Sequence, residues 1–298
     1  MRGGVSPSRV YLPDGPWETV LQYLLYRYSH LPEGLLEQRI SRGDIVDSNG
    51  TPISIHTPYK SHQWLWYYRE VENEAKVPFD LPIIYINEHI VVVDKPHFLA
   101  SIPGGRYLRE TVVVRLRDKL NCPYISPIHR LDRDTAGVMV LSRSPAQRGL
   151  YQSMFQNHKV NKIYEAVAEY RPDLQYPYTH TSCIEPGNGF LMKESAIKPA
   201  NSHTTITVLR KLEGSKALYR LMPVTGRKHQ LRVHMSSLGM PIINDDMYPV
   251  LLPQRSADDF SEPLQLLARG ISFTDPVSGK PMSFTSSRSL DLAANFLT

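Results

Sequence analysis

The stretch PIHRLDRDTAG, residues 127–137, runs straight into VMVLSRS, and this junction constrains the fold more than any other feature of the chain. VMVL reads as a buried strand, with Arg130, Asp132, Arg133 and Asp134 standing directly ahead of it. Charges are costly to bury unless they are paired or take part in chemistry. The segment is therefore either a solvated ionic turn or a site. A carboxylate at Asp132, in a turn before a core strand, is held rigidly yet open to a ligand from outside. Gly137 lets the backbone turn sharply, and Thr135 can satisfy loose amide groups.

Two further stretches carry chemistry. In PVTGRKHQLRVHMSSLG (223–239), Thr225 is a candidate N-cap, so that Gly226 and Arg227 open a helix end whose amides can face an anion. Leu231, Met235 and Leu238 form a core stripe, and Arg232 lies beside it. A buried arginine needs a carboxylate; the alternative is a basic solvated helix. In NKIYEAVAEY, Tyr164, Ala166 and Ala168 share one strand face. A tyrosine beside two small residues is either core or an exposed stacking platform for a base.

The rest of the 298-residue chain supports an α+β fold with a mostly antiparallel mixed sheet and flanking helices. Trp17, Val20, Leu21, Leu24, Leu25 and Tyr28 repeat at helical spacing, with Pro16 expected at the first helical position. PEGLLEQRISRG predicts a second helix closed by Gly43, and DIVDSNGTPISI predicts a hairpin around Asn49-Gly50. Residues 67–82 read as a linker. Strands are predicted around the turn at Asn87-Glu88, at GVMVLSR, at KIYEAVAEY, across Glu213-Gly214-Ser215 and in LQLLARGISFTDP. Helices are predicted at ETVVVRLRDKL, at SPAQRGLYQSMFQNH with Ser144 as N-cap, and at RKHQLRVHMSSLG up to Gly239.

Charge is informative by its distribution. The net charge is +5, a pointer to a polyanionic partner, yet residues 1–75 carry 7 Lys+Arg against 9 Asp+Glu. The second part is thus expected to supply the electrostatic attraction. The two cysteines, Cys122 and Cys183, have no metal-ligand spacing and read as free thiols in a reducing compartment. No apolar run is long enough to span a membrane, and the start lacks the apolar core of a signal peptide. The expectation is a cytoplasmic protein with no membrane partner.

The three stretches together resemble the RluA-like pseudouridine synthases. His129, Arg130, Leu131, Asp132, Thr135, Ala136 and Gly137 match that family's His-Arg-Leu-Asp-x-x-Thr-(Ser/Ala)-Gly signature. Lys162 and Tyr164 match its Lys-x-Tyr, and Thr225 to His234 match Thr-Gly-Arg-x-His-Gln-(Ile/Leu)-Arg-Val-His. The resemblance covers about residues 80–290. Residues 1–75 resemble an S4-type RNA-binding module, a small αα-hairpin domain with an N-terminal extension, although such modules tend to be basic and this one is net negative. Residues 76–298 would form the catalytic domain with the pseudouridine synthase fold.

The resemblance implies an isomerase that breaks the N-glycosidic bond of an RNA uridine and rejoins the base through C5, with no cofactor and no metal. One carboxylate near C1′ and C2′ is required, as nucleophile or base, and the resemblance assigns it to Asp132. Arg232 would pair with Asp132 and keep it ionised and aimed; Tyr164 would stack on the uracil, with Leu231 walling its other side. Arg130 would enter the RNA stack where the base leaves. Arg133, Arg227 and Lys228 are candidates for phosphate contacts, and His129 and Thr135 complete the substrate-binding set. The implied partner is structured RNA, ribosomal ahead of transfer RNA, bound by a monomer. The alternatives are an inactive RNA-binding or RNA-chaperone protein of the same fold, and a phosphotransferase or nuclease using His129 and Asp132. The second would normally need metal-binding carboxylates or a Gly-rich phosphate loop, and the sequence has neither.

Overall fold

The chain divides into two units, residues 1–73 and 74–298; the computed structural model describes residues 3–32, 34–71 and 73–294. The first unit opens with a strand that the apolar pattern does not announce, β1 (Ser8–Leu12). Helices α1 (Val20–Arg27) and α2 (Leu35–Ser41) follow, then strands β2 (Ile45–Val46) and β3 (Gln63–Tyr67). β3 pairs antiparallel with both β1 and β2. Leu12, Leu24, Leu36, Ile40 and Leu65 are buried together at its core.

Two expectations for this unit need correction. The first helix starts at Val20, not Pro16, because Thr19 caps it. The Thr19 hydroxyl accepts the Gln22 N–H at 3.3 Å, and the Gln22 side chain accepts the Thr19 N–H at 3.4 Å, a reciprocal box that closes two orphan donors. The Asn49-Gly50 turn forms, with the Asp47 carboxylate accepting the N–H groups of Asn49 and Thr51. Its second arm is only the single bridge Val46↔Pro52. Pro52 has no N–H with which to continue a ladder, so β2 takes β3 as its partner.

In the second unit the elements are β4 (Ile83–Ile86), β5 (Ile90–Lys95), α3 (Val112–Lys119), β6 (Ser126–Pro127), β7 (Ala136–Ser142), α4 (Arg148–Gln156) and β8 (Val160–Glu169). They continue as β9 (Tyr178–Pro186), β10 (Met192–Ser195), β11 (Ser202–Lys211), β12 (Lys216–Pro223), α5 (Gln230–Ser237), β13 (Leu266–Thr274), β14 (Pro281–Thr285) and α6 (Asp291–Ala294). One sheet runs β10-β9-β11-β12-β8-β13-β7-β5-β4, with β14 on β13 and β6 on β7. Every strand-to-strand pairing in this sheet among the described residues is antiparallel except β13 with β7.

The near-continuous apolar runs of β5 and β7 follow from burial on both faces. Val91, Val93, Met139 and Leu141 pack with Val112 and Leu116 of α3. Ile90, Val92, Val138 and Val140 face Tyr151 and Met154 of α4 on the other side. Further along the sheet, Ala166 and Ala168 of β8 and Tyr219 of β12 lie under Leu231 and Met235 of α5. No described helix is long and apolar enough to cross a membrane.

The expected linker is only partly one. Val77 and Leu81 are buried in the second core, and the Glu74 carboxylate accepts the N–H groups of Leu108, Arg109 and Glu110. Ser144 does not cap α4; residues 145–147 form a turn, Gln147 is the N-cap, and Ser144 bonds the Gln147 side chain. Gly137 sits at φ +111°, paired in register with Ala268, where a Cβ would lie 2.2 Å from the Ala268 carbonyl oxygen. Only glycine brings the ionic turn this close to β13.

Candidate active site

The Asp132 turn joins β6 to β7 and is fastened by the end of β5 and the segment that follows it. The Thr135 N–H closes the turn on the Asp132 carbonyl at 3.2 Å. The Ser101 hydroxyl donates to the Leu131 carbonyl at 2.6 Å, Lys95 Nζ to the Arg133 carbonyl at 2.8 Å, and His97 Nδ1 to the Asp134 carbonyl at 2.6 Å. Lys95 is fully buried and also donates to the Pro96 and Leu99 carbonyls, so all three ammonium hydrogens have acceptors. Burial pushes its pKa down to about 7, against the pull of Asp134 and Asp132. With its backbone fixed, the Asp132 side chain stands 32% exposed.

The expected Arg232–Asp132 pair is present only as a loose approach. Arg232 Nη1 lies 3.9 Å from Asp132 Oδ2, beyond hydrogen-bond range. The arginine's main partner is Asp245: Nε donates to Oδ2 at 2.8 Å and Nη2 to Oδ1 at 2.5 Å, with Asp246 Oδ1 accepting from Nη2 at 3.1 Å. Both the Arg232 and Asp245 side chains are 1% exposed. Burial works to lower the arginine's pKa, but the Asp245 hydrogen bonds and the charges of Asp245 and Asp132 outweigh it and hold the guanidinium above its ordinary range.

All ten residues singled out from the sequence line one cleft of about 730 Å³. Tyr164 enters it from β8, its phenol pushed up by burial and then by the Asp132 charge; Leu231 enters from α5. Arg130 is exposed and makes no hydrogen bond or ion pair among the described residues. Arg227 is exposed, with Nε donating to the Asn201 carbonyl at 3.1 Å, and Lys228 reaches the Phe190 carbonyl. Arg133 is less available than expected: it donates to Asp134 at 2.6 Å and lies over the rings of Phe98 and Tyr107. Thr135 is buried. Six cationic side chains, with Lys162 the sixth, line this cleft together with the single carboxylate Asp132.

Thr225 does not cap α5. The helix starts at Gln230 with His229 in the left-handed region as N-cap. The Thr225 hydroxyl donates to Gln230 Oε1 and accepts the His203 N–H, while the Arg227 N–H is taken by Gln230 Oε1. The anion-facing helix end expected at Gly226 and Arg227 is therefore absent; positive charge there comes from side chains.

A sequence profile described as RNA pseudouridylate synthase matches residues 89–237, the span that holds Asp132, Tyr164 and Arg232. The chain belongs to that family. It is 31% identical over 234 residues to an uncharacterized RNA pseudouridine synthase of Synechocystis, covering 77% of this chain and 79% of the relative. It is 32% identical over 212 residues to the dual-specificity RNA pseudouridine synthase RluA of Vibrio cholerae, covering 69% and 82%. The solved human RNA pseudouridylate synthase domain containing 4 superposes with a TM-score of 0.55 at 26% identity, over 70% of this chain and 88% of that one. The protein is thus a pseudouridine synthase, an isomerase of RNA, and it has the fold of that class.

Several residues that support the synthase's cleft escaped the sequence reading. Asp245 and Asp246 carried a signal in INDDMYP, two carboxylates among apolar neighbours downstream of an arginine that needed one. Lys95, His97 and Ser101 carried none, since each acts on a backbone carbonyl remote in sequence. His129 is inside the cleft, but its Nε2 accepts the Val140 N–H at 3.0 Å and its ring stacks on Phe155 at 4.6 Å. It holds β7 rather than offering a proton. Away from the cleft, His180, Glu194 and His234 place possible ligand atoms within 4.8 Å of one another. These atoms are already hydrogen-bonded, His180 to Glu194 at 2.8 Å and His234 Nε2 to Ser202 at 2.9 Å.

Buried neutral histidines set an acid limit on stability. Burial pushes His129 down to about 3 and His97 and His234 to about 4. Between these values and the ordinary 6.5 the unfolded chain takes up protons that the folded chain refuses. Stability is therefore full above about pH 6.5 and falls as pH drops toward 4, by about 1.4 kcal/mol per pH unit for each such histidine. Urea midpoints measured from pH 7 to 4.5 should decline, and His129→Gln should decline less steeply. A midpoint flat over that range would contradict the buried neutral state.

Proposed function

We propose that the synthase isomerises uridines in structured RNA with Asp132 as the reacting carboxylate. The observation that carries this reading is Asp132 itself: a partly exposed carboxylate on a tightly tied turn, facing Arg232 Nη1 at 3.9 Å in a cleft whose other charged side chains are lysines and arginines. A flipped uridine enters with its base between Tyr164 and Leu231. Asp132 acts near C1′ and C2′ while the N1–C1′ bond of the uridine breaks and a C5–C1′ bond forms in its place. Arg130, exposed and uncommitted, fills the gap in the RNA stack, which offsets part of the few kcal/mol that extrusion costs. Arg227 and Lys228 take phosphates, with ribosomal RNA the first substrate to test and transfer RNA the second. The C5 proton must leave for the new bond to form, so RNA tritiated at uridine C5 should release label in step with turnover. Retention of label would favour a protein that binds RNA without isomerising it, and mapping pseudouridines in a deletion strain would name the RNA.

Residues 1–73 have the composition of an accessory unit in this scheme, S4-like but poor in free cations. They carry seven basic against eight acidic residues. Arg39 pairs with Glu70 at 3.2 Å, and Arg42 with Asp44 at 2.8 Å and Glu70 at 2.9 Å. Removing them should weaken RNA binding modestly and leave the salt dependence nearly unchanged, because its slope counts neutralised phosphates at about 0.7–0.9 per contact. A loss of about two slope units would make this unit a main RNA clamp, with Lys60 and Arg9 the first residues to test.

A further inference from the structure

Arg232 is held by far more than a single ion pair needs. Its Nε and Nη2 edge is filled by both oxygens of Asp245, and the Tyr248 ring lies 5.6 Å from its Cζ. Asp245 is itself immobilised, since Oδ1 also accepts the backbone N–H groups of Met247 at 2.9 Å and Tyr248 at 3.1 Å. The Asn244 residue before it sits at φ +62°, and the Asp245 N–H bonds the Ile242 carbonyl, so the carboxylate rides on a tight turn. What remains of the guanidinium is Nη1, buried and without a hydrogen-bond partner among the described residues, aimed at Asp132 from 3.9 Å. A free arginine beside a carboxylate closes on it with two parallel N–H···O bonds. Here the edge that would do so is already occupied.

We propose that Asp245 is a positioning residue of the isomerisation: by occupying the bidentate edge of Arg232, it keeps the guanidinium within ion-pair range of Asp132 yet without a hydrogen bond to it. The inference rests on Asp132 being the reacting carboxylate. An Asp132 clamped bidentately would have to break two charge-assisted bonds before an oxygen could approach the sugar or the base. With Asp245 in place, Asp132 keeps its charge partner and both oxygens stay free to move. Asp246 is a weaker version of the same contact, monodentate at 3.1 Å with a side chain 35% exposed.

The test is the single-turnover rate constant with the full chain in saturating excess over C5-tritiated RNA. That constant does not depend on how much enzyme has unfolded, so a merely structural role would leave it unchanged. Asp245→Asn removes the charge. Asp245→Glu keeps the charge, displaces the carboxylate by one methylene, and carries the test should the first variant fold poorly. Both should lower the rate constant about 10- to 100-fold, the scale of a misplacement near 1 Å, with RNA affinity unchanged. Asp246→Asn should fall much less, and Phe284→Leu, a core change in β14 outside the cleft, should react at the wild-type rate. A wild-type rate constant for Asp245→Glu or Asp245→Asn, beside an inert Asp132→Asn, overturns the role of Asp245 alone. An active Asp132→Asn overturns the reading on which it rests as well.

Discussion

Asp132→Asn is expected to eliminate uridine isomerisation while leaving the fold intact and RNA bound as tightly as before. Among the described residues the carboxylate accepts no hydrogen bond, and its one ion pair is with Arg232 at 3.9 Å. The turn is held through backbone atoms instead, by the Thr135 N–H, Ser101, Lys95 and His97. An isosteric amide therefore breaks nothing that supports the loop. Affinity should persist because phosphate contacts supply most nucleic-acid binding energy, and Arg130, Arg227 and Lys228 are untouched. Amide and carboxylate differ in the property that matters, since the amide is neither a competent base nor a comparable nucleophile. Tritium release, filter binding and a thermal melt on one preparation check the three parts together. Turnover by the pure variant, beyond any deamidated fraction, would remove Asp132 from the reaction.

The elements that sequence announces are those whose burial is one-sided or complete. β5, β7, α3 and α5 are visible as apolar runs or stripes because each packs on a core. β9, by contrast, reads YTHTSCIEP, polar at Thr179, Thr181 and Ser182, and its place in the sheet comes from pairing with β11 and β10. Helix starts failed for one recurring reason. Pro16, Ser144 and Thr225 are each good N-terminal residues by type, yet Thr19 takes the first position through its box with Gln22, and Ser144 and Thr225 spend their hydroxyls on the side chains of Gln147 and Gln230. The ten cleft residues converge because three separated stretches carry them in order. The chemistry of a buried arginine asks only for a carboxylate, the family resemblance supplies Asp132, and the sequence holds a second candidate in Asp245, thirteen residues on. Burial decides between them, and burial is a property of the folded chain.

Arg232→Met should both abolish catalysis and unfold the protein more easily, and the stability loss should arise at Asp245 rather than at Asp132. Asp132 is 32% exposed and Asp246 35% exposed, so water can solvate either when the guanidinium goes. Asp245 is 1% exposed and would keep only the N–H groups of Met247 and Tyr248. Removing one partner of a buried ion pair typically costs about 3–5 kcal/mol, a range that applies here because this pair is fully enclosed. Adding Asp245→Asn to Arg232→Met should restore much of that stability, since the amide oxygen still accepts the two N–H groups and no bare charge is left inside. It should restore no activity, because the guanidinium that stands 3.9 Å from Asp132 is gone. Urea midpoints and single-turnover rates of the single and double variants separate the two effects. A double variant no more stable than Arg232→Met would place the cost elsewhere than Asp245, and an Arg232→Met enzyme with undiminished rate would show that Asp132 works without the guanidinium.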